Sequence, residues 1–258
     1  MNFGWICLLC LTISECFSNE IDGYHFKEAG RRSEINFINE ARTLASCPLE
    51  VGAEGVYVIT LPRLNPFPVL CDAQVAGAGY LVIASRSNSS VSFYRNWQEY
   101  KNGFGDLLDD FFIGLDKLHA ITKSQTHELY IHLEDFDGNT RFARYSEFYI
   151  ENENGSYKLS TLGAYTGDAG DSLDYQKNGL FSTYDKDNDS KPDMNCAQHY
   201  LGAWWYKSCH HSNLFGMYFG GTFSSSLDNK GMVWRHWRGG LYSYKSIKMM
   251  VRPKCRCA

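Results

Sequence analysis

Between Asp185 and Asp193 carboxylates recur at short intervals: Asp185-Lys-Asp187-Asn-Asp189, then Asp193. Acidic side chains at alternate positions let one short loop aim several oxygens at a hard cation, and oxygen-only ligand sets favour Ca2+. The spacing Asp185-x-Asp187-x-Asp189 also opens an EF-hand. That loop requires Gly at its sixth position and a bidentate Glu at its twelfth; Ser190 and Cys196 stand there, so the EF-hand fails on its ligands. Further on, Cys196 and Cys209 can close the segment between them. Inside it, Tyr200 and Gly202-Ala-Trp-Trp-Tyr206 supply ring faces for a core or a ligand. His210 and His211 are expected to titrate and to make binding pH-sensitive.

Catalysis has no such support. The chain has no G-x-S-x-G elbow, no H-E-x-x-H pair and no phosphate-binding glycine loop. Its His, Ser and Asp residues show no spacing that selects a triad, so no enzyme is expected. The net charge of -4 is mixed along the chain. With no basic stripe to follow phosphates, nucleic acid is excluded as a partner.

Residues 1–18 read as a secretory signal, with Leu8, Leu9, Leu11 and Ile13 as its apolar core and Ser18 at the cleavage point. That run is too short to span a bilayer, and no membrane insertion is expected. Removing the signal takes Cys7, Cys10 and Cys16 with it. Cys47, Cys71, Cys196, Cys209, Cys255 and Cys257 remain. An even cysteine count behind a signal implies an oxidising, extracellular compartment and disulfides. Asn88-Ser-Ser and Asn154-Gly-Ser are glycosylation acceptors that fit secretion. Asn188-Asp-Ser is a third formal match, but it lies inside the acidic loop, where no glycan is expected.

The elements that must position these groups follow from periodicity. Residues 19–45 form a short polar leader without Gly-X-Y repeats or coiled-coil length. Strands are expected at 55–61, 68–71, 80–84, 111–115, 128–133, 140–145, 148–150, 157–162 and 247–252. Helices are expected at 93–100 and 117–121. Asp137-Gly138-Asn139 carries a hairpin signal. Beyond Gly163 the periodicity fades into Gly, Asp, Ser and aromatic residues, and a long irregular stretch of this kind needs staples.

Ordered landmarks run along residues 46–254: Cys47, Gly55-Val-Tyr57, Val69-Leu-Cys-Asp72, Val91-Ser-Phe-Tyr-Arg-Asn-Trp97, Tyr100-Lys-Asn-Gly-Phe-Gly105, Phe112-Ile-Gly-Leu115, the acidic cluster, and Tyr242-Ser-Tyr-Lys245. By these the chain resembles the fibrinogen-like, or fibrinogen C-terminal, domain family, in its ficolin- and tachylectin-like secreted invertebrate type. Gly77-Ala-Gly-Tyr80 departs from the usual Gly-Gly-Gly-Trp, and Phe215 stands where Asn is usual. The resemblance implies an α+β fold. A disulfide-bonded N-terminal part and a central antiparallel sheet with short helices would carry a loop-rich, calcium-binding C-terminal part.

The resemblance also implies sites. Ca2+ would be held by the side chains of Asp187 and Asp189 and by carbonyls of Lys191 and Asp193, in a loop one residue longer than in many relatives. Disulfides would join Cys47 to Cys71 and Cys196 to Cys209. A ligand pocket would use Tyr200 and the Cys209–His210 pair beside a non-proline cis peptide at Ser208–Cys209. Two further family aromatics do not carry over; Trp237, Phe223 and Tyr242 are nearby candidates. Cys255 and Cys257 fall outside the family pattern, in the tail 255–258. They pair with each other, or bridge chains into a disulfide-linked homo-oligomer, or join a His on zinc. The leading expectation is a secreted, calcium-binding lectin for acetylated carbohydrate that serves in pathogen recognition. The alternative is a signalling or adhesion module that binds an extracellular protein.

Overall fold

The computed structural model describes residues 44–254. The signal at 1–18, the leader up to residue 43 and the tail at 255–258, with Cys255 and Cys257, lie outside the described residues.

Ten strands join in one antiparallel sheet. Its path is built from β1 (Gly55–Ile59), β2 (Phe67–Asp72), β3 (Tyr80–Arg86), the short hairpin β4 (Phe104–Gly105) and β5 (Phe111–Phe112), β6 (His127–Glu134), β7 (Thr140–Ile150), β8 (Leu159–Leu162) and β9 (Tyr165–Gly167). Four two-residue strands follow, β10 (Ser212–Asn213), β11 (Gly221–Thr222), β12 (Val233–Trp234) and β13 (Tyr242–Ser243); they pair β10 with β12 and β11 with β13. The last strand, β14 (Ser246–Pro253), enters the middle of the large sheet, between β3 and β6. Residues buried on both faces read as a continuous apolar run, which is what β3 shows in Tyr80-Leu-Val-Ile-Ala84.

Helices α1 (Trp97–Asn102) and α2 (Leu115–Ser124) cover part of the sheet, and α3 (Cys196–His199) and α4 (Arg235–Arg238) are single turns in the irregular part. In α2, Leu115, Leu118, Ile121 and Thr122 share the buried face, which packs on β7. The Cys47–Cys71 disulfide is formed, with its Cα atoms 5.7 Å apart. It ties the chain ahead of β1 to β2.

Several expectations need correction. The strand placed at 55–61 ends at Ile59, and the one placed at 111–115 ends at Phe112, because Gly114 at φ 104° turns the chain into α2, which opens at Leu115. The helix placed at 93–100 begins at Trp97, because Asn96 and Glu99 form a reciprocal capping box. The strands placed at 140–145 and 148–150 are one strand, β7; polar Ser146 and Glu147 do not interrupt it because its neighbours hold its backbone on both edges. The strand placed at 157–162 starts at Leu159, since Ser156 and Tyr157 take left-handed φ values of 50° and 46°. The leader placed at 19–45 joins the fold earlier than expected: Leu44 bridges Ile59 and accepts a hydrogen bond from the Thr60 amide at 2.8 Å.

One polar cluster is built into the sheet. The buried Glu128 carboxylate accepts from the Tyr80 hydroxyl at 2.6 Å and pairs with both Arg144 and Arg252. Burial alone would raise its pKa; the Tyr80 and Arg144 hydrogen bonds and the Arg252 charge outweigh that and hold it below the usual carboxylate range.

Candidate functional site

The acidic loop starts where Ser182 pairs with Trp204 and ends where the Asn195 side chain caps α3 through the Gln198 amide at 3.0 Å. Its carboxylates have different duties. Asp185 Oδ1 accepts from the Thr183 hydroxyl at 2.7 Å and from the Trp97 amide at 2.9 Å, so it serves the first turn of α1. Asn188 is consumed inside the loop, its amide group donating to the Phe181 carbonyl at 2.8 Å. Asp189 accepts from the Lys191 amide at 2.7 Å and the Cys196 amide at 2.8 Å, and the Asp189 amide donates to Asp187 Oδ1 at 3.2 Å.

The structure thus places Asp187, Asp189 and Lys191 in one hydrogen-bonded turn, with Asp193 exposed on the same loop. Burial pushes the Asp189 carboxyl up, the two amides oppose it, and the Asp187 charge adds to the rise. A half-buried Asp189 carboxylate beside the exposed Asp187 carboxylate, in a turn that also carries free carbonyl oxygen, is the oxygen-only chemistry that Ca2+ takes.

The loop is tied to the second half of the site. The Ser190 amide donates to the Lys207 carbonyl at 3.1 Å, and the Lys207 amide donates to the Cys209 carbonyl at 2.8 Å. The Ser208–Cys209 peptide is cis, and Cys196 and Cys209 are bonded, with Cα atoms 5.7 Å apart. Tyr200 stands edge-on to the His210 ring at 4.5 Å, and Tyr206 lies on another side at 5.7 Å. So Tyr200, Cys209 and His210 come together as the sequence suggested.

His210 itself departs from expectation. It is 9% exposed, and neither ring nitrogen completes a hydrogen bond; the Asn229 backbone approaches without closing one. Burial, with the His211 and Arg235 charges, pushes its pKa down to about 3. It therefore stays neutral near pH 7 and does not provide the expected pH switch. Burial lowers His211 as well.

The remaining aromatics belong mostly to packing. Trp204 and Trp205 are fully buried, and Trp205 donates to the Tyr157 carbonyl at 2.8 Å. Phe215 fills the core against Trp204, Phe93 and Phe112. Of the three candidate substitutes, Trp237 stacks on Tyr244, Phe223 tilts against Phe219, and Tyr242 is buried. Asp228 was not singled out from the sequence; its charge joins burial in raising the Tyr200 phenol. The signal was the Asp228-Asn229 turn, where Asn229 takes φ 61°. Asn154 is exposed in a short turn, and Asn88 is half-buried with its side chain donating to Asp109 at 2.8 Å. Among the described residues, the acidic loop included, no cluster of three or more His, Cys, Asp or Glu could hold a metal ion, so any cation there would rely on two carboxylates and backbone carbonyls, and no helix is long and apolar enough to cross a membrane.

Comparison with known proteins gives the context for this geometry. The family model for the C-terminal globular domain of fibrinogen beta and gamma chains matches residues 49–254. Human angiopoietin-related protein 7 is 44% identical over 188 residues, which cover 72% of this chain and 53% of that protein. The chain therefore spans about half the length of that relative. Among solved structures, the fibrinogen-like globe domain of human ANGPTL2 matches with TM-score 0.75 and 38% identity, over 78% of this chain and 93% of its own. The corresponding domain of human ANGPTL6 gives 0.74 and 40%, over 79% and 90%. A lamprey fibrin D-dimer, complexed with the peptide Gly-His-Arg-Pro-amide, gives 0.73 and 33%, over 80% and 70%. The chain belongs to the fibrinogen C-terminal domain family, whose members are non-enzymatic. The expectation of a lectin for acetylated carbohydrate in pathogen recognition is overturned: the three human relatives are angiopoietin-related proteins, signalling modules and not lectins.

Proposed function

We propose that this fibrinogen C-terminal domain is an extracellular recognition module for a protein partner, in signalling or adhesion. The observation that carries this reading is the 44% identity to angiopoietin-related protein 7. The docking face is the one assembled from the acidic loop, the Cys196–Cys209 hairpin and the Tyr200–His210 pair. Its character suits a protein more than a small polar ligand: the aromatic wall is filled by its own rings and the imidazole is neutral. The lamprey fibrin relative was solved with a short peptide, which supports the fold's capacity for protein segments.

Ca2+ belongs to the proposal as a stapling ion. Asp187 and Asp189 would hold it with the Lys191 and Asp193 carbonyls, at the weak affinity of extracellular modules, ~10⁻⁴–10⁻³ M. By fixing Asp189 it would fix Ser190 and, through the Lys207 carbonyl, the Ser208–Cys209 peptide. Cys255 or Cys257 would link copies of the chain. Non-reducing electrophoresis of the intact chain should show a dimer or larger species that Cys255→Ser, Cys257→Ser abolishes.

The functional test is an array of extracellular receptor ectodomains probed with the secreted chain, with N-acetylglucosamine as competitor. Saturable binding to an ectodomain that the sugar does not displace is expected. Binding that the sugar displaces, or none to any protein, would overturn the reading.

A further inference from the structure

A cavity of about 210 Å³ lies away from the acidic loop, between the β4–β5 hairpin, the end of α1 and the start of α2. The pocket is open to solvent; Pro68, Phe104, Leu107, Phe112 and Ile113 form its apolar side, and Asn102, the Gly103 and Gly105 backbone and Lys117 form an equally large polar side. We propose that this cavity binds a small amphipathic carboxylate, its tail on the aromatic wall and its headgroup on the Lys117 ammonium.

Part of the frame behind these side chains is fixed by close backbone contact. Gly103, Gly105 and Gly114 take φ values of 92°, 88° and 104°. A Cβ at Gly103 would stand 2.5 Å from the Ile113 carbonyl oxygen, and one at Gly105 would stand 2.2 Å from that of Asp110. Glycine lets these strands and turns close to backbone contact, which fixes the backbone that carries Phe104, Ile113 and Lys117. The Phe104 ring is pinned edge-on between Phe93 at 4.9 Å and Tyr100 at 5.0 Å.

The charge identifies the ligand class. Lys117 donates to the Asn102 carbonyl at 3.0 Å and the Ile113 carbonyl at 3.2 Å. An ammonium has three donors, so one remains, and no carboxylate forms an ion pair with it among the described residues. The adjacent Asp116 is engaged by the Tyr157 hydroxyl at 2.5 Å. Burial lowers the Lys117 pKa, with only Asp116 opposing. A partly desolvated ammonium with one donor left and no direct carboxylate partner, beside an aromatic side chain, suits an anion with an apolar body. The volume is below the ~300–1,000 Å³ of drug-sized pockets, so the ligand is a short chain or a single ring.

The probe is sodium octanoate, titrated into the isotope-labelled full-length chain, with octanol as the uncharged control. Saturable methyl shifts at Leu107 and Ile113 are expected, with octanoate binding about tenfold tighter than octanol, as one charge-assisted hydrogen bond implies. Lys117→Met should remove that preference and leave octanol unchanged; Lys117→Arg should retain it. Absence of saturable shifts up to the solubility of octanoate would overturn the site. So would equal binding of the two probes to the wild-type chain, a comparison that needs no variant to fold.

Discussion

The sheet and the stretch from Gly163 to Lys245 satisfy their backbones in different ways. In the sheet, strand pairs exchange hydrogen bonds residue by residue, and β6 is held along its length by β7 and β14. In the irregular part the partners are side chains. Asp171 accepts from the Leu173 and Asp174 amides, Ser172 from the His236 amide, and Asp189 from two more. Where periodicity stops, Asp, Asn and Ser take over from the ladder. An acidic composition there is thus first a structural fact. Asp171, Asp185 and Asp189 all hold backbone or neighbouring side chains, and Asp189 also has its carboxyl pushed up by burial and by the Asp187 charge.

The contrast can be broken at its strongest point first. Ile131 is fully buried on β6, and Ile131→Ala should cost about 3–4 kcal/mol. If the two regions form one cooperative unit, chemical denaturation followed at sheet and loop probes gives coincident transitions. Separate midpoints would show that the irregular part stands on its own. Next in size is the loop staple: Cys196→Ser with Cys209→Ser should cost ~3 kcal/mol on the chain-entropy account. Amide exchange should rise in 181–215 and stay low in β3 and β14; uniform loss would erase the distinction.

Acid sharpens it further. The His210 pKa falls from 6.5 to about 3 on folding. Stability from that neutral imidazole is full above pH 6.5 and is lost as pH drops below it, by about 2 kcal/mol near pH ~5. Glu128 has a depressed pKa, so its contribution is full above ~4.5 and is lost only as pH falls through its lower folded value. His127 and His132 on β6 are lowered by burial too, so region-resolved amide exchange, corrected for intrinsic rates, is the measurement. His210→Phe should protect 196–215 at mild acid, and an unchanged pH response would remove His210 from the account. The smallest effect is the ion: calcium at ten times its dissociation constant should add about 1.4 kcal/mol. Asp187→Ala should abolish the rise in melting temperature; equal midpoints with calcium and chelator would reject the site.

Much of the sheet was legible because strand burial leaves a two-residue or continuous apolar signature, as in Tyr80–Ala84 and Glu128–Leu133. The Asn96-x-x-Glu99 capping box was equally visible in the letters and would have placed the start of α1 correctly. The union of 140–150 was hidden, because a strand's continuity depends on its neighbours' backbones. In the site, the family resemblance supplied the two cysteine pairs, both of which are formed. Residue types did not reveal the burial of His210, since an imidazole has the same letter whether wet or dry. Strands of two residues, such as β10 to β13, are too short for any period to show.

The position of β14 has a consequence for biosynthesis. Strands β3 and β6 flank an empty lane until Ser246–Pro253 has been translated and released to fill it. A ribosome-bound chain lacking those eight residues carries two unpaired inner edges, the kind that recruit foreign strands. Quality control therefore sees an aggregation-prone nascent chain until Ser246–Pro253 has emerged. A stop codon that removes only β14 would leave not a trimmed protein but a sheet split down its middle.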